Sequence, residues 1–206
     1  MDVSRPYTAV CPTLDGEVLR VLARTTRVLT GREVAALAGR RSHSGVLAVL
    51  HRLTEHGLVD RVELNRAYLF TLNREHLAAP AVEMLMQMRT ALLHRIGEAV
   101  GSWETAPVHV SMFGSAARGD GDTGSDVDLL VVRPGDVLED DSEWATQLAD
   151  LRDRIRRWTG NHVQIVELGE DDVERLREDE RPILAALRAD AIVLYGSSIA
   201  TLLRSA

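Results

Sequence analysis

The sequence predicts an α+β protein of two domains, and three observations support that expectation. Charge is unevenly divided: residues 1–75 hold 11 Arg against 8 Asp and Glu, a net of +3, whereas residues 76–206 hold 13 Arg against 23, a net of −10. The basic part shows three stretches of helical apolar spacing and then two runs that alternate apolar and polar. The acidic part opens on an apolar run, Val108 to Phe113, followed by Gly114-Ser115, a Gly/Asp-rich segment, and a second apolar run from Leu129 to Val132. A chain of 206 residues has room for two small domains.

The basic part is justified element by element. Leu14, Val18, Leu19, Val21 and Leu22 space an amphipathic helix over Leu14–Ala23. Thr30 with Glu33 three residues on forms a capping box for a short second helix, which Gly39 stops. Ser42 or Ser44 caps a third helix, whose buried stripe is Val46, Leu47, Val49, Leu50 and Leu53, and Gly57 ends it. Leu58–Leu64 and Ala67–Leu72 then alternate like two strands joined at Asn65-Arg66.

Three helices and a two-stranded ribbon, in that order, make a winged helix-turn-helix. Leu29-Thr30-Gly31-Arg32-Glu33-Val34-Ala35 and Gly57-Leu58-Val59 resemble bacterial winged-helix regulators. The usual docking geometry of such domains puts the start of the third helix in the major groove of double-stranded DNA. Arg40, Arg41, Ser42, His43 and Ser44 fall there, and Arg61 and Arg66 on the wing are placed to reach phosphates or a minor groove. Winged helices also serve as dimerisation or protein-docking modules, and a net of +3 is modest.

Asn73 to Trp103 reads as helix, with Pro80 near its start and Val82, Leu85, Met86, Met88, Leu92 and Ile96 at helical spacing. The expected organisation is a DNA-binding domain at 1–75, a bridging helix at 76–103 and a second domain at 104–206. Within the second domain, Glu143–Trp158 reads as helix and His162–Leu168 as strand. Asp171–Glu178 and Arg181–Arg188 read as two further helices, and Ala191–Tyr195 as a last strand.

The chemistry concentrates in residues 111–132. Side chains two apart on a strand share a face, so Asp126 and Asp128 project side by side. Two carboxylates held that close repel each other unless a cation sits between them. Mg²⁺ suits such a pair, because it binds through one or two carboxylates plus substrate phosphates. Gly114 lets the backbone approach a ligand closely, and Ser115 adds a hydroxyl at the same turn. The combination suits a metal-bound nucleoside triphosphate.

Gly114-Ser115, ten residues and Asp126-x-Asp128 resemble the signature of the minimal nucleotidyltransferases of the DNA polymerase β superfamily, and Arg118-Gly119 and Ser125 fit that family's fuller pattern. The resemblance implies a polymerase-β-like fold with a small mixed sheet, and Mg²⁺-dependent transfer of an NMP, AMP from ATP or its counterpart from another NTP, to a hydroxyl. It further implies that Asp126 and Asp128 are catalytic and hold one or two Mg²⁺ ions, and that Gly114, Ser115, Arg118 and Ser125 bind the nucleotide. Ser115 and the backbone after Gly114 would meet the terminal phosphates, while Arg118 either neutralises pyrophosphate or faces solvent. The acceptor would be a protein, such as a partner toxin, or a small molecule such as an aminoglycoside. The family's third carboxylate, which helps to deprotonate the attacking hydroxyl, falls on Gln164, and an amide is no general base. Glu167, three residues on, faces the other side of a regular strand. A second function class therefore stands beside the enzyme: a winged-helix regulator whose second domain senses nucleotide without turning it over.

The remaining residues narrow the chemistry. Cys11 is the only cysteine, which excludes an internal disulfide and cysteine-based zinc sites, and the absence of lysine excludes lysine chemistry. The seven histidines lack metal-ligand spacing and read as core or surface residues. No apolar run spans a bilayer and no signal peptide is evident, so the expectation is a cytoplasmic protein without membrane association. A homodimer is compatible with the apolar bridging helix.

Overall fold

Local side-chain caps start the second and third helices of the first compact unit, Pro6–Met88. The computed structural model describes residues 1–39, 41–173, 187, 189–198 and 201. Arg40 and most of the two helices expected over Asp171–Glu178 and Arg181–Arg188 lie outside the described residues. After α1 (Leu14–Ala23), the two-residue strand β1 (Leu29–Thr30) leads directly into α2 (Gly31–Leu37). The Thr30 hydroxyl accepts from the Glu33 amide at 3.2 Å, and the Glu33 carboxylate accepts from the Thr30 amide at 2.8 Å. That reciprocal cap satisfies two donors that a helix start otherwise leaves unpaired. Ser42 caps α3 (His43–Glu55) by accepting from the Gly45 amide.

β2 (Val59–Leu64) and β3 (Ala67–Leu72) form an antiparallel hairpin. Asn65 and Arg66, with φ of 51° and 65°, make its two-residue turn, the left-handed conformation that tight hairpins need. β1 adds to the free side of β3, which gives a sheet in the order β1-β3-β2. Val18, Leu22, Val34, Val46, Leu50 and Phe70 are fully buried between the three helices and the sheet. The outer strand β2 is exposed beyond Val59.

α4 runs from Ala79 to Gly101; Ala79 and Val82 pack into the core just described, whereas Leu92, Ile96, Ala99 and Val100 belong to a second core. That second unit comprises Met1–Arg5 together with Arg89–Ala206. Its strands are β4 (His109–Phe113), β5 (Val127–Arg133), β6 (Val163–Gly169) and β7 (Ile192–Gly196), in the order β6-β5-β4-β7. β4 is antiparallel to β5 and β7, and β5 is parallel to β6. The parallel step requires a crossover, which α6 (Ser142–Thr159) provides. One face of the sheet packs Val110, Met112, Val127, Leu129 and Val131 against α4 and α6. The opposite face carries Leu130 and Val132, buried with Val173 and Leu187. Among the described residues, no helix is long and apolar enough to cross a membrane.

Candidate functional site

The site is assembled where β4 ends and β5 begins. Phe113 and Asp128 are register partners across the β4–β5 pair, and Asp128 and Gln164 are partners across β5–β6. Between β4 and β5, Gly114–Arg118 forms the one-turn helix α5. Gly114 has φ +72°, and a Cβ there would lie 2.5 Å from Asp128 Oδ2. Both the backbone conformation and the carboxylate behind it require glycine. Ser115 Oγ and Ser125 Oγ both lie beside Gly121, within 3.4 Å of where a Cβ on that residue would sit.

Asp126 lies just before β5 and is half-buried, as is Asp128. Gln164 Nε2 donates to Asp126 Oδ2 at 2.6 Å. Asp126, Asp128 and Gln164 thus converge on the face of the sheet opposite α4 and α6. Burial pushes the Asp128 carboxyl above the usual carboxylate range, the Asp126 charge pushes it further, and the Arg118 guanidinium draws it back. The ionised pair is a strained arrangement that a cation would relieve. Among the described residues no three His, Cys, Asp or Glu side chains gather as a metal site.

The loop between α5 and β5 is held by its own side chains. Asp122 Oδ1 accepts from the Gly124 amide at 2.9 Å and from Ser125 Oγ at 3.0 Å, while Ser125 Oγ accepts from the Asp122 amide at 2.9 Å. Ser125, a nucleotide-binding candidate from the sequence, is therefore engaged in shaping the loop. Arg118 is exposed and paired with Asp120 at 3.0 Å and Asp190 at 3.7 Å, and these acids raise its pKa further.

Glu167 stands apart from the carboxylate pair. The β5–β6 register runs unbroken from Val127↔Val163 to Arg133↔Gly169, so no bulge rotates Glu167 towards Asp128. Its Oε1 instead accepts from Arg133 Nε and Trp144 Nε1, both at 2.9 Å, and joins β5, β6 and α6. Sequence reasoning missed this clip, because no local pattern joins Trp144 to a glutamate on a strand that follows α6.

The basic candidates of the first unit are placed as follows. Ser42, His43 and Ser44 form the exposed start of α3, with Ser42 Oγ and Ser44 Oγ 2.9 Å apart. Arg41 precedes them and lies 3.8 Å from Glu17. Arg61 on β2 stacks over Tyr68 at 4.6 Å and meets His51 Nδ1 at 3.4 Å, while Arg66 occupies the hairpin turn.

The nucleotidyltransferase domain family matches residues 95–198, half of the chain, and that span includes every element of the site. No protein of curated function matches. Two solved structures are similar over part of the chain. One is described as a toxin–antitoxin with AMP-PNP, at 14% identity over 55% of this chain and 82% of that one, with a TM-score of 0.36. The other is a mutant of the toxin–antitoxin MntA-HpeT, at 13% identity and the same coverage, with a TM-score of 0.37. The chain belongs to the nucleotidyltransferase domain family.

Proposed function

We propose that this protein transfers an NMP, AMP from ATP, to a hydroxyl of a protein or small-molecule acceptor, and that its first unit is a winged helix-turn-helix that binds DNA. The convergence of Asp126 and Asp128 behind Gly114 carries the first half of this reading. The donor set fits one Mg²⁺: two carboxylates in mutual repulsion supply part of an oxygen shell, and triphosphate oxygens and water supply the rest. Bound there, Mg²⁺ would neutralise phosphate charge during in-line displacement.

The chain's own residues have separable tasks. Gly114 and the amides that follow it receive phosphate oxygens, and the Ser115 hydroxyl donates at the same turn. Arg118 reaches the leaving pyrophosphate only by exchanging its pairs with Asp120 and Asp190. The acceptor oxygen attacks the α-phosphorus, the bond to the β-phosphate breaks, and pyrophosphate leaves with its electrons. The acceptor proton goes to solvent or a site carboxylate, because Gln164 has no basic lone pair to offer.

One observation favours a second function, a nucleotide-sensing regulator. Gln164 stands where a third carboxylate would complete the site, and its amide is already bonded to Asp126. Loss of an acid–base group costs about 10²–10⁴ in rate, so nucleotide binding can persist where turnover is slow.

Transfer of label from α-labelled ATP, with Mg²⁺ and host lysate, tests the enzyme directly. Label on a lysate component that disappears with Asp126→Ala/Asp128→Ala establishes transfer and hands over the acceptor. Mg²⁺-dependent ATP binding without transfer establishes the sensor, and no nucleotide binding refutes both.

The order of three helices followed by a hairpin whose outer strand β2 is exposed supports the winged-helix half. Arg41→Ala and Arg61→Ala should each weaken binding to duplex DNA and lower the slope of log affinity against log salt by about 1. An unchanged slope in both variants assigns the unit to protein docking instead.

A further inference from the structure

Asp126 lies outside the regular hydrogen bonding of β5, so something else must fix its backbone. The residue after it is held by the Val127 amide donating to the His162 carbonyl at 2.9 Å. The residue before it is held by Asn161, whose Nδ2 donates to the Ser125 carbonyl at 2.8 Å. The same Nδ2 donates to the Met1 carbonyl at 2.9 Å, and Oδ1 accepts from the Met1 nitrogen at 2.7 Å. Two carbonyls can only accept, so the orientation of the amide is determined by its partners.

Asn161 is also well supported from beneath. It is 5% exposed, and its own amide donates to Thr159 Oγ1 at 3.1 Å, while that hydroxyl donates to the Ile155 carbonyl at 2.8 Å. The end of α6 thereby presents a fixed pair of donors to two segments remote in sequence. One is the first residues of the chain, where Asp2 accepts from the amides of Ser4 and Arg5 at 2.9 and 3.1 Å. The other is the loop that delivers Asp126.

We infer that Asn161 is a positioning residue for the carboxylate pair: it sets the height of Asp126 against Asp128 through the Ser125 carbonyl, and so sets the affinity of the site for Mg²⁺. This rests on the nucleotidyltransferase reading above. Outer partners that orient metal ligands commonly contribute about 10–100-fold in metal affinity when removed. Nothing in the Gly-Ser and Asp-x-Asp pattern points to Asn161, because its role arises from bonds 36 and 160 residues long in sequence.

Asn161→Asp is the informative change, since it keeps the shape and replaces the donor with an oxygen facing two carbonyl oxygens. Asn161→Ala removes the donors without adding charge. Glu167→Gln is the matched control: it weakens a clip on β6, the strand that follows Asn161, that does not touch the Asp126 loop. The readout is the Mg²⁺ concentration at half-saturation of ATP binding by the full chain, beside the melting temperature.

Both Asn161 variants are expected to raise that concentration about 10–100-fold, while Glu167→Gln lowers the melting temperature and leaves it in place. An unchanged Mg²⁺ requirement in either Asn161 variant, an equal shift in Glu167→Gln, or complete unfolding of both Asn161 variants overturns the proposal. In the last case Asn161 serves the fold rather than the site. Wild-type protein that binds no ATP with or without Mg²⁺ refutes the nucleotidyltransferase reading itself.

Discussion

Gln164→Glu is the perturbation that most directly asks what the site lacks. Gln164 is exposed, opposite Asp128 in the β5–β6 register, and its Nε2 lies 2.6 Å from Asp126 Oδ2. Glutamate there exchanges an attractive amide–carboxylate bond for a third negative charge. Two unit charges about 4 Å apart repel by about 1 kcal/mol in water and about 4 kcal/mol at an effective dielectric constant of 20. Exposure of residue 164 puts the cost near the lower figure. In a chain of this size each kcal/mol corresponds to about 2–4 °C in Tm. The variant should therefore melt a few degrees below wild type in EDTA and recover in millimolar Mg²⁺, because three carboxylates then share a cation. If turnover is limited by the missing base, AMP transfer should rise by about 10²–10⁴. Differential scanning fluorimetry with and without Mg²⁺, beside label transfer from α-labelled ATP, reads both. Equal melting in EDTA and Mg²⁺, with transfer unchanged, would refute the assignment of residue 164 to the metal face.

Gly114→Ala places a Cβ 2.5 Å from Asp128 Oδ2 on a backbone with φ +72°, so it should lose about 1–2 kcal/mol and most Mg²⁺-dependent ATP binding; calorimetry and a nucleotide titration check the two effects. Gly97→Ala is a closer contest. Alanine improves helix propensity by about 1 kcal/mol, yet its Cβ would stand 2.8 Å from the Leu194 carbonyl oxygen. Backbone displacement costs about 1–3 kcal/mol, so urea denaturation should show net destabilisation. His109 predicts a pH dependence of stability. It is 0% exposed, with Nδ1 2.6 Å from the Ser197 carbonyl and Nε2 2.9 Å from Ser111 Oγ. Burial lowers its pKa below 6.5, against a smaller opposing effect of that carbonyl. The unfolded chain then takes up a proton that the folded chain lacks. Stability is complete above about 6.5, declines as the pH falls through that value, and levels off below the folded pKa. Unfolding free energies at pH 7.5 and 5.5 should differ less in His109→Gln than in wild type.

What was legible in the sequence was whatever depends on near neighbours. Thr30 with Glu33, Asn65-Arg66, and the spacing from Gly114 to Asp128 act over a few residues or a single loop, and each appears in the structure where the sequence puts it. β1 was not legible, because Leu29 and Thr30 become a strand only through the β3 edge beside them. The turn after Phe113 closes into the helix α5 rather than remaining a loop, since the positive φ at Gly114 reverses the chain into a helical start. The place of Met1–Arg5 beside residues 159–161, and the tie from Arg89 to the Ala116 and Ala117 carbonyls at 3.0 and 2.7 Å, are pure tertiary contacts with no local pattern. For the site, the sequence pointed to Asp126 and Asp128 as an expectation, which the proposed experiments test. It did not show that Arg118 is already engaged by two acids, nor that Ser125 spends its hydroxyl on Asp122.

The electrostatics of the second unit tie these details to function. A unit with a net charge of −9 repels a triphosphate, and among the described residues the Arg118 guanidinium beside the pair is occupied by Asp120 and Asp190. Without a metal, the Asp126–Asp128 pair adds to that repulsion; burial first, and then the Asp126 charge, push the Asp128 carboxyl upward. If the proposed nucleotide site is correct, its binding is expected to depend strongly on a divalent cation. Asp128→Asn separates the two contributions. In EDTA it should stabilise the protein, because the folded state disfavours the ionised carboxylate relative to the unfolded chain. In Mg²⁺ it should abolish the stabilisation that ATP gives wild type, since a neutral amide leaves Asp126 alone to offset the phosphate charge. A variant that is more stable when empty and unresponsive to Mg²⁺-ATP would identify Asp128 as a residue retained for binding at a cost to the fold. A variant that loses stability in EDTA would mean that the Asp128 carboxylate is compensated by a partner within the chain and that the cation is not what the pair is built for.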